Sequence, residues 1–445
     1  MLERAQENLP VSQSEATRAF ARIGLLSFGG PAAQIAVMHR VLVDEKKWLT
    51  EKQFLHALNF CMLLPGPEAM QLATYAGWLL HGVRGGVIAG LLFIAPGLVM
   101  MLALAAIFAV YGDVLVMAGI FYGLKAAVIA VVLQALYKVS GKALKTPVMY
   151  LIAAAAFIAI FFLRVPFPII IFGAALVGFI VWKAAPALVP AAVDDDEAAP
   201  VASEGATAMA QTIRAIVVWG AIWLVPLMLL IVAGTAFQGQ AALFFSQTAI
   251  VTFGGAYAVL AYVGQQVVEV YGWLTASDML KGLGLAETTL GPLVLVLVFV
   301  GFVGGFNAAQ NGMMAAGLGG GLIAAFFTFV PCFLWIFAGA PHMERLRHVR
   351  WLSASLAAVT AAVVGVILNL AIWFGIAVLF GEPDYERAGL VWLPQISLGQ
   401  MDGIALVIAV AASVALLRYQ VNLFAVLGVA AVAGLLVSLG GLAVV

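Results

Sequence analysis

The chain has 445 residues, 64% of them apolar and only 9% charged, with 21 Lys and Arg against 21 Asp and Glu and a mean hydropathy of +1.11. An ordinary soluble domain is about 25% charged, and a membrane span takes about 20 apolar residues, of which this chain holds enough for roughly a dozen spans. This balance excludes a soluble enzyme and, without a basic excess, a nucleic-acid binder; Cys61 and Cys332, far apart in apolar stretches, indicate neither a disulfide framework nor a metal site.

The first twenty residues are polar and lack the apolar core of a signal peptide. Ser12-Gln13-Ser14-Glu15 reads as a capping box. The helix it opens runs through Phe20 and Leu25 and stops at Phe28-Gly29-Gly30-Pro31. A second helical piece covers Ala32 to Val43. The pattern from Glu51 to Leu64 is helical, breaks at Pro65-Gly66-Pro67 and resumes from Glu68 to Leu80. Four cleaner spans follow at about 85–111, 114–138, 147–163 and 167–183. An Ala- and Pro-rich stretch with Asp194-Asp195-Asp196-Glu197 then reads as a solvated linker. A further span lies at about 214–235. The stretch from Ala241 to Val268 is broken at Phe253-Gly254-Gly255, and another break falls at Gly291-Pro292. Four last spans lie at about 312–338, 351–380, 400–418 and 421–443.

The chain repeats itself. Ser27-Phe28-Gly29-Gly30 matches Thr252-Phe253-Gly254-Gly255, Trp48-Leu49-Thr50 matches Trp273-Leu274-Thr275, and Gly66-Pro67 matches Gly291-Pro292. Each pair is 225 positions apart (27 to 252, 48 to 273, 66 to 291). Farther on, Gly85-Gly86 and Pro96 match Gly320-Gly321 and Pro331 at a spacing of 235, so about ten residues are inserted near Gly304–Gly319. The expected organisation is a first repeat at 1–183, a linker at 184–212, an extra span at 213–236 and a second repeat at 237–445.

Basic residues collect in cytoplasmic loops. Suppose the extra span flips the second copy and each broken segment returns to its own side. Then Arg4, Arg18, Arg22, Arg40, Lys46, Lys47, Lys52, Arg84, Lys138, Lys142, Lys145, Lys183, Arg214, Arg345, Arg347, Arg350 and Arg418, 17 of the 21 cations, share one face. Arg164, Lys281 and Arg387 take the other face, and Lys125 is inside. A parallel arrangement misplaces Arg345, Arg347 and Arg350. The expected fold is therefore an all-α polytopic membrane protein of two inverted repeats with interrupted or re-entrant helices. Its N-terminus is cytoplasmic, its C-terminus is outside, and it belongs in the cell (inner) membrane. Such folds place substrate sites near mid-membrane.

A backbone break in lipid leaves polar groups without partners, so it persists where it is buried or lines a wet cavity. The duplicated Phe-Gly-Gly lets a ligand approach bare backbone, with helix N-termini pointing positive ends at it. Tight packing of small residues is the other reading. Ser27, Phe28, Gly29, Gly30, Thr252, Phe253, Gly254, Gly255 and Lys125 are thus candidate anion ligands. Lys125, about eleven residues into its span, is costly there unless it holds an anion or pairs with a carboxylate such as Glu68 or Glu287. Pro65, Gly66, Pro67, Glu68, Gln71, Glu287, Gly291, Pro292, Asn307, Gln310 and Asn311 are candidates for lining the pathway or for coupling. Glu68 also suits a helix N-terminus as an acid favourable to the dipole. The polar faces around Gln71 and Asn307 also fit interhelical contacts. The five histidines show no metal-site spacing, there is no nucleotide loop of the G-x-x-x-x-G-K type, and no cofactor is expected.

With Leu26-Ser27-Phe28-Gly29-Gly30-Pro31, Pro65-Gly66-Pro67-Glu68-Ala69 followed by Gln71, Ala73, Tyr75 and Gly77, Thr252-Phe253-Gly254-Gly255-Ala256-Tyr257, and Ala286-Glu287-Thr288-Thr289 in view, the chain resembles the chromate ion transporter family in its long form with two homologous halves. The resemblance covers nearly the whole chain. Ala261 and Leu290 stand where members of that family usually have proline. It implies export of chromate, a tetrahedral oxyanion, from the cytoplasm, with the bilayer as the other partner and a homodimer allowed. The alternatives are a transporter of sulfate or another anion with the same build, a passive channel, or an integral membrane lipid-acting enzyme. The enzyme reading lacks a convergent catalytic set.

Overall fold

The computed structural model describes residues 11–112, 114–185, 205–253, 256–309, 312–342, 349–381, 385–389 and 391–441. The acidic run at 194–197 lies outside these residues. The described chain is almost wholly helical. The first copy comprises α1 (Gln13–Leu26), α2 (Gly30–His39) continued by a π-turn at Arg40–Glu45, α3 (Glu51–Met62), α4 (Glu68–Tyr111), α5 (Leu115–Ala143), α6 (Pro147–Phe161) and α7 (Phe167–Ala184). Then comes α8 (Gly205–Ala233). The second copy comprises α9 (Ala236–Val251), α10 (Ala256–Gln265) continued by a π-turn at Gln266–Val270, α11 (Ala276–Thr288), α12 (Val296–Ala308), α13 (Met314–Gly339), α14 (Arg350–Leu379), α15 (Gly403–Leu417) and α16 (Leu423–Leu439). Among the described residues, six helices are long and apolar enough to cross a membrane.

The short helices fold into hairpins. Glu15 at the start of α1 pairs with Lys46 at 2.8 Å, and Arg22 pairs with Glu45 at 2.8 Å. The chain therefore returns along α1 after turning at 27–30. α1 has 14 residues, about 21 Å at 1.5 Å per residue, well under the ~30 Å of a hydrocarbon core. The Pro-Gly-Pro break likewise folds α3 back onto α4, bringing the Phe60 and Tyr75 rings to 5.5 Å. In the second copy a Cβ on Gly282 would meet the Phe299 ring at 2.3 Å, across the break at 289–292.

α4 reads as one 44-residue helix only by its hydrogen bonding. His81 (φ −141°, ψ 27°) and Gly82 (φ 60°, ψ −152°) are not helical, and a Cβ on Gly77 would lie 2.5 Å from the Gly85 carbonyl oxygen. The chain doubles back there. In the second copy the chain likewise doubles back between the end of α12 and the start of α13. There a Cβ on Gly301 would lie 2.4 Å from the Gly320 oxygen.

The two copies interlock. α5 of the first packs on α15 and α16 of the second, while α14 of the second packs on α6 and α7 of the first, and α5 and α14 also touch. Small residues allow the close approach. A Cβ on Gly123 would overlap the Ala430 oxygen, and one on Gly365 would lie 2.1 Å from the Ala153 oxygen. The apolar spans read from sequence at 114–138, 147–163, 167–183, 351–380, 400–418 and 421–443 are this interlocking set. One element is not legible there. β1 (Tyr385–Ala388) and β2 (Val391–Pro394) form an antiparallel hairpin between α14 and α15, and Trp392 donates its N–H to the Phe162 carbonyl of the first copy at 2.8 Å.

Candidate functional site

Ser27 and Thr252 end α1 and α9. Each turns its hydroxyl back on its own helix, Ser27 Oγ to the Ile23 carbonyl and Thr252 Oγ1 to the Thr248 carbonyl, both at 2.6 Å. Both residues are buried. Their backbone carbonyls point across to the other copy. Gly291 donates its N–H to the Ser27 carbonyl and Gly66 donates its N–H to the Thr252 carbonyl, each at 2.8 Å. Positions 27 and 252 correspond in the repeat, as do 66 and 291, so exchanging the copies turns one bond into the other. Unpaired, each of these groups would cost several kcal/mol in lipid; here the carbonyl that precedes Phe-Gly-Gly in each copy is satisfied by the proline-flanked glycine of the other.

The glycines make these turns feasible. Gly29 (φ 81°) and Gly30 (φ 79°) are left-handed, and a Cβ on Gly30 would meet nothing within 4 Å among the described residues. Gly66 (φ 126°) is tight, since a Cβ there would lie 2.7 Å from Cys332 Sγ. α2 starts at Gly30 without a side-chain cap, as does α4 after Pro67. Among the described residues, their first N–H groups and positive dipole ends therefore carry no side-chain acceptor. Phe28 turns outward and packs edge-on against Phe424 at 5.9 Å, while Phe253 is half-buried. Gly254 and Gly255 lie outside the described residues, as do Gln310 and Asn311.

Two buried amides flank the crossings. Gln71 Nε2 donates to the Pro65 carbonyl at 2.7 Å and Gln34 Nε2 to the Gly291 carbonyl at 2.5 Å. The Oε1 atoms of both are buried and have no hydrogen-bond partner among the described residues. Gln34 was not singled out by sequence reasoning, although a lone amide in the apolar stretch after the first break was the available signal. Glu68 opens α4. Glu287 is buried at the end of α11 and accepts from the Tyr257 hydroxyl at 2.5 Å. Pro292 leads into a 3-10 turn at Leu293–Leu295. Asn307 Nδ2 donates to the Trp273 carbonyl at 3.0 Å, tying α12 to the loop before α11.

Lys125 belongs to a different cluster. Its Nζ lies 5.9 Å from the centre of the Tyr122 ring, and the Tyr122 hydroxyl reaches both oxygens of Asp402 at 2.8 Å. Lys125 is in electrostatic reach of Lys281 and Asp402, and among the described residues it forms no ion pair with Glu68, Glu287 or any other carboxylate. Lys281 pairs with Asp278 at 3.3 Å and lies 5.5 Å from the Phe108 ring. Two lysines, one from each copy, thus sit together with one tyrosine-held aspartate. Among the described residues no group of three His, Cys, Asp or Glu side chains gathers for a metal.

This is a polytopic all-α membrane protein whose duplicated helix breaks meet between its two copies. A family model described as chromate transporter matches residues 14–179 and again residues 239–435. The chain belongs to the chromate transporter family, in its long form with two halves. It is 29% identical over 406 residues to a probable chromate transport protein of Synechococcus elongatus, covering 90% of this chain and 94% of that one. It is 31% identical over 366 residues to a chromate transport protein of Pseudomonas aeruginosa, covering 80% of each. A chromate transport protein of Cupriavidus metallidurans is 29% identical over 354 residues, covering 79% of this chain and 80% of that one. No solved structure matches.

Proposed function

We propose that this protein is a secondary transporter that exports chromate from the cytoplasm by alternating access, and that its two copies are inverted in the membrane. The observation that carries the proposal is the reciprocal pair of bonds, Gly291 to Ser27 and Gly66 to Thr252. Each copy holds a broken, bare backbone whose stability depends on the other copy, so a relative movement of the two remodels both breaks together. The α2 N-terminus beside the open space at Gly30 suits a tetrahedral anion. Inversion is supported by the contact of the Phe162 turn with the β1–β2 hairpin. The inverted arrangement puts Arg164 and Arg387 on one face, and Arg164 stacks on Tyr385 and Trp392 of that hairpin.

The energetics suit the assignment. Moving a dianion out of a negative-inside cell yields about 4.6 kcal/mol per 100 mV, at roughly 2.3 per charge. At ~1.4 kcal/mol per decade that sustains a gradient of more than about a thousandfold. Inverted membrane vesicles test the reading. Labelled chromate uptake is expected to rise with an inside-positive potential and to be competed by chromate more than by sulfate. Uptake indifferent to potential would overturn uniport in favour of exchange, and stronger competition by sulfate would reassign the substrate.

A further inference from the structure

A cavity lies between the bend of α4 and the face of α8. It has a volume of about 560 Å³ and is lined by Trp78, Gly82, Val83, Arg214, Trp219 and Phe337 among others. That size falls within the roughly 300–1,000 Å³ of small-molecule sites. Phe337 is buried and its ring lies 5.3 Å from that of Trp219, forming an aromatic floor and wall. Val83 and Val218 are about half exposed at the rim. α8 packs chiefly on α13 and α9, and most of its apolar surface is left open to lipid. The cleft therefore opens sideways into the bilayer, through an apolar mouth that a hydrated ion would not enter.

The polar end of this cleft is cationic. Arg214 and Gln211 line it, and Arg84 follows Val83 directly. Arg84 and Arg214 are both exposed, and among the described residues neither forms an ion pair. Arg214 lies where α8 enters its apolar run, and Trp78 of α4 and Trp219 of α8 line the same cleft. Tryptophans and unpaired arginines mark the membrane–water interface, and basic pockets between spanning helices hold anionic headgroups. We infer that the cleft between the α4 bend and α8 binds an anionic phospholipid, with its phosphate on Arg214 and Arg84 and an acyl chain laid over Trp78, Trp219 and Phe337. The arginine fork matches phosphate oxygens in two-point hydrogen bonding. A zwitterionic headgroup would bring its own cation to the same place. The inference needs only that the chain spans a membrane, so it stands or falls separately from the transport reading.

Native mass spectrometry of the purified full-length protein, titrated with phosphatidylglycerol or phosphatidylethanolamine, tests it. The wild type is expected to retain phosphatidylglycerol in clear preference. Arg214→Gln and Arg84→Gln should each reduce that preference about fivefold, and Val83→Trp, which fills the cleft, should abolish it. A readout specific to the cleft is tryptophan quenching by brominated phosphatidylglycerol in reconstituted vesicles, which should fall in Trp219→Phe. Equal retention of the two lipids, or retention unchanged in the double arginine variant, would overturn the assignment. So would displacement of the lipid by millimolar sulfate or chromate, which would make the cleft a free-anion site. Replacing Asp194–Glu197 with Ser addresses the remaining occupant. If phosphatidylglycerol binds only after that replacement, the chain's own acidic run fills the cleft and the lipid assignment fails.

Discussion

Gly66 and Thr252 are joined by a 2.8 Å backbone hydrogen bond between two helix breaks that lie in different copies of the repeat, and Gly291 and Ser27 repeat that bond with the copies exchanged. The arrangement explains why both kinds of break occur twice. A carbonyl released by Phe-Gly-Gly finds its donor at the proline-flanked glycine of the partner copy, where the flanking ring has already removed helical competition for that N–H. The two halves are therefore coupled at their least regular points.

Gly66 is the most restricted of these residues. An alanine there would hold φ at 126° and press its Cβ to 2.7 Å from Cys332 Sγ and 2.8 Å from Gln71 Nε2. Gly66→Ala is expected to pull the N–H away from Thr252 and abolish transport. Leaving that bond unmade in the membrane costs several kcal/mol, so a lower melting temperature should accompany the loss. Vesicle uptake and a thermal shift of the detergent-solubilised protein check this. A variant with wild-type uptake and melting would show that the crossing is dispensable.

Gly30 separates ligand approach from packing. Its φ is also positive, but a Cβ would meet nothing within 4 Å among the described residues. Gly30→Ala should cost only the roughly 1–2 kcal/mol of a left-handed non-glycine residue and keep most transport. Gly30→Trp should fold, stay in the membrane and lose transport, because it fills the open space at the α2 N-terminus. Normal uptake by Gly30→Trp would remove that space from the anion's path.

Arg164 holds the β1–β2 hairpin from the other copy. Its guanidinium lies 4.1 Å from the Tyr385 ring centre and 4.9 Å from that of Trp392, and 3.6 Å from Glu269. Arg164→Ala should loosen the hairpin by about 1–2 kcal/mol, read as roughly 5- to 30-fold faster hydrogen exchange over 385–394. Burial, and then the charge of Glu269, push the Tyr385 hydroxyl above its ordinary range, and Arg164 opposes the shift. The folded state thus favours the neutral phenol. The clasp is intact below the ordinary tyrosine value of about 10 and weakens as pH rises through the higher folded value. Hairpin exchange measured between pH 9 and 11 should accelerate beyond the intrinsic pH effect in the wild type and much less in Tyr385→Phe.

The sequence made the spans legible because their apolar runs are long, and it made the duplication legible because Phe-Gly-Gly, Trp-Leu-Thr and Gly-Pro keep one spacing. The hairpin shape of the broken segments was not legible. It depends on contacts such as Glu15 with Lys46, between residues that no local pattern links. The bend at His81–Gly82 falls in the gap read from sequence between the piece ending at Leu80 and the span starting near 85, but that gap did not show that one left-handed glycine turns the chain back on itself. β1 and β2 are four residues each and mixed in polarity, so neither periodicity stands out. Gln34 passed as one amide in an apolar helix, and only the position of Gly291 gives it a role. For Lys125 the apolar run gave depth but not azimuth. Depth alone suggested the helix breaks or a carboxylate at Glu68 or Glu287, whereas the helix face turns the amine toward Tyr122, Asp402 and Lys281.

That placement makes Lys125 a discriminating test. A lysine in a span is costly unless something compensates it, and its neighbours are one other cation, Lys281, and an aspartate already bonded through both oxygens to Tyr122. Lys281 is already paired with Asp278 at 3.3 Å, so the cation without an ion-pair partner among the described residues is Lys125, and a passing anion would supply one. Lys125→Ala is expected to lower chromate uptake at least about tenfold while the protein remains folded, since removing the charge also removes its repulsion with Lys281. Lys125→Arg keeps the charge and should retain a substantial part of the rate. Lys281→Ala should raise the chromate concentration needed for half-maximal uptake, because Lys125 would then face the anion alone. If Lys125→Ala transports normally but melts earlier, the amine serves packing against Tyr122, and the anion's path must be sought at the breaks alone.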